Sequence, residues 1–519
     1  MASTRSLPGR LRGRALRREL GAALADRRPR RAVRALGSWL APGRWPTGTS
    51  IRAAVLDEAV GRGDREAARI VLEDTAGVTG PGTPDALRRA AAVEVEARGL
   101  EGRERESEQT VARYLRNELA RPAPCVSAPR QPGEVRAAAL AAAAELRAAG
   151  HEHPLIVATF PGFHANPFSM LMEQAYASHG LAAIHVASVG EIQAVVDGRE
   201  AGAYRAVLHV NGPDRFLEDA HAATEIEALT AAESVIEQLD AWLAAGVQLV
   251  TTIHNGPMIR DRLADAERRV AQAVVDRASL VHLLTASTPA SLDGWLDLAA
   301  AHCVHVPHPN YDATLGEPRD RAATRRRLDV AEDDGREVLV GLIGSLYRRK
   351  GAIALVEAFM AIPDPLPDGR RVRLLLAGSL PANGEALIRA SCDDSRIIMR
   401  FGYVPDEELP GLLAALDVAV VPYGQYLNSG WLILALTAGV PALAPAGGTA
   451  AEVVRPEALR TFDPQVAGSL TEALADASSL ATPEARAAAR ASVADLDAAT
   501  ISARFVEALL EATSGTVRS

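Results

Sequence analysis

The sequence predicts an alternating α/β protein: two successive parallel sheets, each clothed by helices, behind an α-helical amino-terminal extension. Three observations carry this. After residue 150, short apolar runs recur with helical stretches between most of them, as strands buried on both faces of a parallel sheet require. The alternation stops across the polar, charged stretch 307–334 and then resumes, so one sheet ends there and a second begins. Polar, glycine-rich and histidine-bearing residues follow run after run at the predicted carboxyl end, the edge where open α/β sheets bind ligands.

Each element follows from this pattern. Residues 1–48 read as a basic helical tail, and 49–134 as helical hairpins that end in a linker, since 120–134 hold four prolines. The first doubly wound, Rossmann-like unit spans 150–312, with strands expected at 155–159, 182–186, 206–210, 248–253, 280–284 and 303–306. The second spans 335–480, with strands at 338–343, 373–377, 397–400, 418–421 and 442–444. Helices over 481–519 close the chain and can pack on either unit.

Composition narrows the function. An apolar content of 48% builds two large cores, mostly from alanine and leucine. A net charge of −9 argues against a general nucleic-acid binder, so no nucleic acid is expected as a partner. The charge is uneven: residues 1–48 hold twelve arginines against Glu19 and Asp26. Leu16, Leu20 and Leu24 fall at helical spacing among them, which suits a helix on an anionic membrane surface or a solvated tail. Cys125, Cys303 and Cys392 are too few and too far apart for a disulfide framework or a zinc site, which suits a reducing compartment. No apolar run approaches the ~20 residues of a membrane span. The expected location is cytoplasmic, peripheral on the inner face of the plasma membrane.

Of the 56 basic residues, Lys350 alone is a lysine. It stands in Gly344-Ser345-Leu346-Tyr347-Arg348-Arg349-Lys350-Gly351, between a strand and a helix. Clustered cations in such a loop can hold a phosphate, and the plain alternative is a solvated surface turn. Asn428-Ser429-Gly430 precedes a helical run and offers a hydroxyl and backbone N–H groups to a second phosphate, or an ordinary helix cap. No Gly-x-x-x-x-Gly-Lys-Ser/Thr loop occurs, which excludes a P-loop ATPase, and no Gly-x-Gly-x-x-Gly follows a first strand. The single Asp-x-Asp, Asp495-Leu496-Asp497, falls in a helical tract, so cations and helix dipoles rather than a metal are expected to carry the diphosphate charge.

Taken in order, these motifs resemble a known class. The lysine loop, Ala377-Gly378, Phe401-Gly402-Tyr403-Val404-Pro405, Asp417 to Tyr423, Asn428-Ser429-Gly430 and Ala435-Leu436-x-x-Gly439-x-Pro441 look like the nucleotide-sugar half of a GT-B glycosyltransferase of the family 4 type. The first unit is similar to the β-mannosyltransferases that extend lipid-linked exopolysaccharide repeats, as in xanthan assembly. Asn166-Pro167-Phe168, Val207-Leu208-His209-Val210, Pro213-Asp214, Thr252-Ile253-His254-Asn255 and His308-x-x-Tyr311 carry that likeness. Two departures stand out: Tyr426 and Leu434 replace the paired glutamates of many retaining members, and Asn211-Gly212 replaces a His-Trp.

The resemblance implies a metal-independent hexosyltransferase with no cofactor. Its donor is a nucleoside diphosphate sugar, with mannose the sugar pointed to, and its acceptor is a glycan or lipid-linked sugar. It implies Lys350, Arg348, Arg349, Ser345, Asn428, Ser429, Gly430 and His254 as donor-binding residues, and Asn166 and Phe168 as acceptor-binding residues. An inverting reaction needs a general base. Asp214 is the first candidate and His164 the second, Asp214 being equally placed to cap the following helix. A sugar-nucleotide epimerase, a glycoside phosphorylase and a non-catalytic scaffold of transferase-like fold stay open as alternatives.

Overall fold

The computed structural model describes residues 130–514, except 163–166, 200–201, 221–223, 255, 257–263, 317–318, 332–334, 347–349, 381–387, 389–391, 393 and 425. The basic tail and most of the 49–134 segment therefore lie outside the described residues, as do His164, Asn166, Arg348 and Arg349. A helix, Pro132–Ala148, begins inside the segment read as a linker. Pro132 sits at its first turn, where the missing N–H costs nothing.

The described residues form two six-stranded parallel sheets. The first is built from β1 (Leu155–Phe160), β2 (Leu181–His185), β3 (Arg205–Val210), β4 (Gln248–Ile253), β5 (Leu280–Leu283) and β6 (Cys303–His305), in the order β2-β1-β3-β4-β5-β6. The second comprises β7 (Glu337–Ile343), β8 (Arg371–Gly378), β9 (Ile397–Phe401), β10 (Val418–Val420), β11 (Ala442–Pro445) and β12 (Leu459–Phe462), in the order β12-β11-β10-β7-β8-β9. Counted from its own first strand, the second sheet has the 3-2-1-4-5-6 order of a dinucleotide fold. The first begins with the flavodoxin-type order 2-1-3-4-5. The sequence reading missed β12, Leu-Arg-Thr-Phe, because a short, half-polar edge strand lacks an apolar run.

Alternation along β1 shows why both sheet faces are covered. Ile156, Ala158 and Phe160 face one core with helices Pro132–Ala148, Val189–Arg199 and Glu225–Ala244. Leu155 and Val157 face the other, with Phe168, Met172 and Tyr176. The last two helices divide between the lobes. Ala485 and Ala489 of Pro483–Ser492 join the second-lobe core. The chain then crosses back, and Ile501, Phe505, Val506 and Leu509 of Ala498–Ser514 complete the first-lobe core. Asn310 ties the two crossings together: its N–H donates to Leu496 O at 2.7 Å and its Nδ2 to Val493 O at 3.0 Å.

The lobes also touch across the cleft. Leu427 of the second lobe packs with Ile253, Leu283, Leu292 and Leu296 of the first. Glu452 accepts from Ala286 N at 2.8 Å, Ser287 N at 2.9 Å and Ser287 Oγ at 2.6 Å. Burial opposes ionisation of Glu452, but these three bonds outweigh it and hold its carboxyl below the usual range. Among the described residues, no helix is long and apolar enough to cross a membrane.

Candidate active site

In the second sheet the chain runs from β7 outward through β8 to β9, then returns to place β10 on the other side of β7. Ligands of open α/β sheets enter at such a reversal, beyond the strands' carboxyl ends. The loop after β7 bears Lys350, and the loop after β10 bears Pro422 and Tyr423. They meet: the Lys350 ammonium lies 4.1 Å from the centroid of the Tyr423 ring, a cation–π contact that holds the charge at the crevice. Gly351, which starts helix Ala352–Met360, has φ +70°, and a Cβ there would lie 1.8 Å from Pro422 O. Only glycine lets the lysine loop lie so closely on the end of β10. Ser345, earlier in this loop, is exposed.

The Asn428-Ser429-Gly430 segment is built more tightly than its sequence suggests. Ser429 is 2% exposed and is the N-cap of helix Gly430–Thr437, its Oγ accepting from Leu432 N at 3.2 Å. The same hydroxyl points toward the Tyr423 hydroxyl at 3.4 Å. A Cβ on Gly430 would meet the Tyr311 hydroxyl at 2.7 Å, so any larger residue would have to displace the Tyr311 side chain. Asn428 reaches across the cleft, and its Nδ2 donates to the carbonyl of His254. Tyr423 thus lies between Lys350 and Ser429, and Asn428 joins that array to the first lobe.

On the first-lobe side, His254 Nε2 donates to Asn211 Oδ1 at 3.0 Å. Burial, with His282 and His308 nearby, pushes the His254 pKa down to about 3. The ring is therefore neutral at ordinary pH and can hydrogen-bond a substrate oxygen but not neutralise a diphosphate. Phe168, expected in the acceptor site, is buried between His254 and His308, with ring centroids 4.8 and 5.0 Å away. At the start of helix Pro167–Met172, its ring packs between these two imidazoles. Asp214 lines a cavity with Asn211, Gly212, Thr252, His254, Glu267 and Trp295.

Beneath this wall runs a polar chain that the sequence reading did not find. His282 Nε2 donates to Val306 O at 2.7 Å, so its Nδ1 is left as an acceptor. Thr252 Oγ1 donates to that Nδ1 at 3.0 Å and accepts from His209 Nε2 at 2.7 Å. Phe505 covers both rings, at 5.4 Å from His209 and 4.8 Å from His282. The available signal was a histidine inside an apolar run, Leu280-Val281-His282-Leu283, which demands buried partners.

Burial lowers the pKa of His209 to about 3, and of His282 and His308 to about 4. An unfolded histidine titrates near 6.5, so between that pH and about 3 the unfolded chain binds more protons. The stability held by these neutral rings is complete above about pH 6.5 and is lost as pH falls toward 4. The melting temperature should therefore decline over that window, by a loss on the order of a few kcal/mol. His209→Gln keeps a donor to Thr252 without a titrating ring and should shallow the decline. A flat wild-type profile between pH 6.5 and 4.5 would exclude this account.

Comparison with known proteins agrees with the architecture. Residues 337–481 match the family model described as "Glycosyl transferases group 1". The chain is 30% identical over 197 residues to the D-inositol 3-phosphate glycosyltransferase of Streptosporangium roseum, a match covering 35% of this chain and 45% of that protein. It is 27% identical over 297 residues to the GDP-mannose:glycolipid 4-beta-D-mannosyltransferase of Xanthomonas campestris pv. campestris, covering 56% of this chain and 74% of the relative. Among solved structures, sucrose-phosphate synthase from Thermosynechococcus elongatus superposes with a TM-score of 0.52 at 18% identity, over 70% of this chain and all of that one. Two facing parallel α/β lobes that superpose on this synthase define a GT-B fold. Its segment 337–481 is a glycosyl transferases group 1 domain.

Proposed function

We propose that the chain transfers a hexose, with mannose the leading candidate, from a nucleoside diphosphate sugar to a glycan or lipid-linked acceptor in cell-surface polysaccharide synthesis. The observation that carries this reading is Lys350, held over Tyr423 where the second sheet reverses direction. A compact ammonium there can take the charge that develops on a departing diphosphate, the role a metal ion fills in other enzymes. His254 and Asn211 supply neutral hydrogen-bonding groups from the facing lobe. The GDP-mannose and glycolipid named for the Xanthomonas relative, which this chain matches over 74% of its length, support mannose and a lipid-linked acceptor. The twelve arginines of residues 1–48 support an anionic membrane surface, on the cytoplasmic side, as the place where that acceptor is met.

A thermal-shift and donor-hydrolysis panel of GDP-, UDP- and dTDP-sugars tests this. GDP-mannose is expected to raise the melting temperature and to be turned over slowly to GDP. If no nucleotide sugar binds at millimolar concentration, the reading fails.

A further inference from the structure

Asn211 stands at the carboxyl end of β3, and the strands on either side fix its backbone. Its N–H donates to Phe160 O of β1 at 2.7 Å. The carbonyl before it, Val210 O, accepts from Thr251 Oγ1 of β4 at 2.8 Å. From this anchored position its Oδ1 accepts from His254 Nε2 at 3.0 Å. His254 is held on two further sides. Phe168 meets its ring edge-on, with centroids 4.8 Å apart and planes at 84°, and its carbonyl accepts from Asn428 Nδ2. The Asn211-Gly212 pair replaces a His-Trp of the resembling enzymes, so the contact is not one that the family motif supplies.

A neutral imidazole carries one N–H. With that hydrogen on Nε2 and given to Asn211, Nδ1 keeps a lone pair and can only accept. Such a ring takes a hydrogen bond from a hydroxyl and offers nothing to a phosphoryl oxygen, which is itself an acceptor. The amide matters as much as its position. A carboxylate at 211 would accept the same bond, but it would also favour the imidazolium, in which both nitrogens donate. The charged and titratable groups around the ring come from several elements. His209 of β3, His282 of β5 and His308 after β6 lie near it, and Asp214 and Glu267 line the same cavity. Helix Pro167–Met172 brings the uncharged Phe168. We propose that Asn211 is the positioning residue of His254: its amide oxygen holds the ring in the Nε2–H form, so that Nδ1 serves as a hydrogen-bond acceptor for a substrate hydroxyl. The burial that pushes the His254 pKa down to about 3 works in the same direction. The substrate hydroxyl rests on the transferase reading above, whereas the state of the ring does not.

The test uses the full chain with isotope-labelled histidine, whose ring nitrogens report by NMR where each imidazole carries its proton. His254→Gln assigns the resonances. Without substrate, His254 is expected in the Nε2–H form, unchanged between about pH 8 and about pH 5.5. Asn211→Ala should leave a mixture of the two tautomers. It should also lower kcat/KM with GDP-mannose about tenfold, the worth of one hydrogen bond. Asn211→Asp, nearly isosteric, keeps the acceptor and serves where Asn211→Ala fails to fold. Its turnover should approach wild type at about pH 8 and fall away from it toward about pH 5.5, as His254 gains a second proton and Nδ1 ceases to accept. A side chain that merely packs would instead give the same loss at every pH, and that result overturns the proposal. So does an Nδ1–H ring in the wild type, or an Asn211→Ala chain whose His254 spectrum and turnover both match wild type. A wild-type Nε2–H ring that shifts in Asn211→Ala supports the positioning role even where GDP-mannose is not turned over, an outcome that counts against the transferase reading alone.

Discussion

Lys350→Ala is expected to lower kcat/KM about 10²–10³-fold, the cost of removing one preorganised group that stabilises charge as it develops. The protein should stay folded, because Lys350 is a half-exposed loop residue and Tyr423 keeps its contact with Ser429. A large fall in turnover with an unchanged melting temperature is the informative combination. Lys350→Arg asks why the chain's single lysine stands here. Arginine keeps the charge but spreads it over a planar fork, and the loop is pinned to β10 by Gly351 against Pro422. Partial recovery is expected. Wild-type turnover in Lys350→Ala would remove the donor site from this crevice.

Asp417→Ala is expected to destabilise the protein by about 3–5 kcal/mol, the range for stripping one partner from a buried ion pair. Asp417 precedes β10 and accepts from Arg321 Nη2 at 2.5 Å, Arg325 Nη1 at 2.9 Å and Leu339 N at 2.8 Å. Arg486 of the penultimate helix lies 3.5 Å away. Burial opposes ionisation of Asp417, yet Arg321, Arg325 and the Leu339 N–H together hold its carboxyl below the usual range. Arg325 is 1% exposed and also donates to Ala331 O, Ala415 O and Glu337 O. Without Asp417 its charge stays buried and uncompensated. The expected readout is a sharply lower denaturation midpoint, and a loss below about 1 kcal/mol, the worth of a surface pair, would show the network to be superficial.

Much of the architecture was legible because it is written in local periodicity. A strand buried on both faces must be apolar along its length, so β1, β4 and β7 stand out as runs. β12 did not, because an edge strand shares only one side and tolerates Arg460 and Thr461. The candidate site was legible only where chemistry follows a strand end, as at Lys350, Asp214 and His254. Glu267 and Trp295 gave no such signal, since each looks like an ordinary helix or loop residue until the fold turns it toward a cavity. At Ser429 the sequence left two roles open, since a hydroxyl before a helix serves a ligand or a cap equally well; in the fold its oxygen caps Leu432 N and its O–H is directed at the Tyr423 hydroxyl.

The sequence by itself determined two doubly wound lobes, the sheet edge that gathers the polar and glycine-rich loops, and a lysine loop after the first strand of the second lobe. These depend on residue spacing within a few turns of chain, and burial imposes that spacing directly. Tertiary structure decided what is non-local. It placed Lys350 over Tyr423, some 70 residues on in the chain, and returned the last helix to the first lobe, where Phe505 covers His209 and His282. It also fixed which histidines are neutral, because desolvation is set by everything packed around a ring and not by its neighbours in sequence.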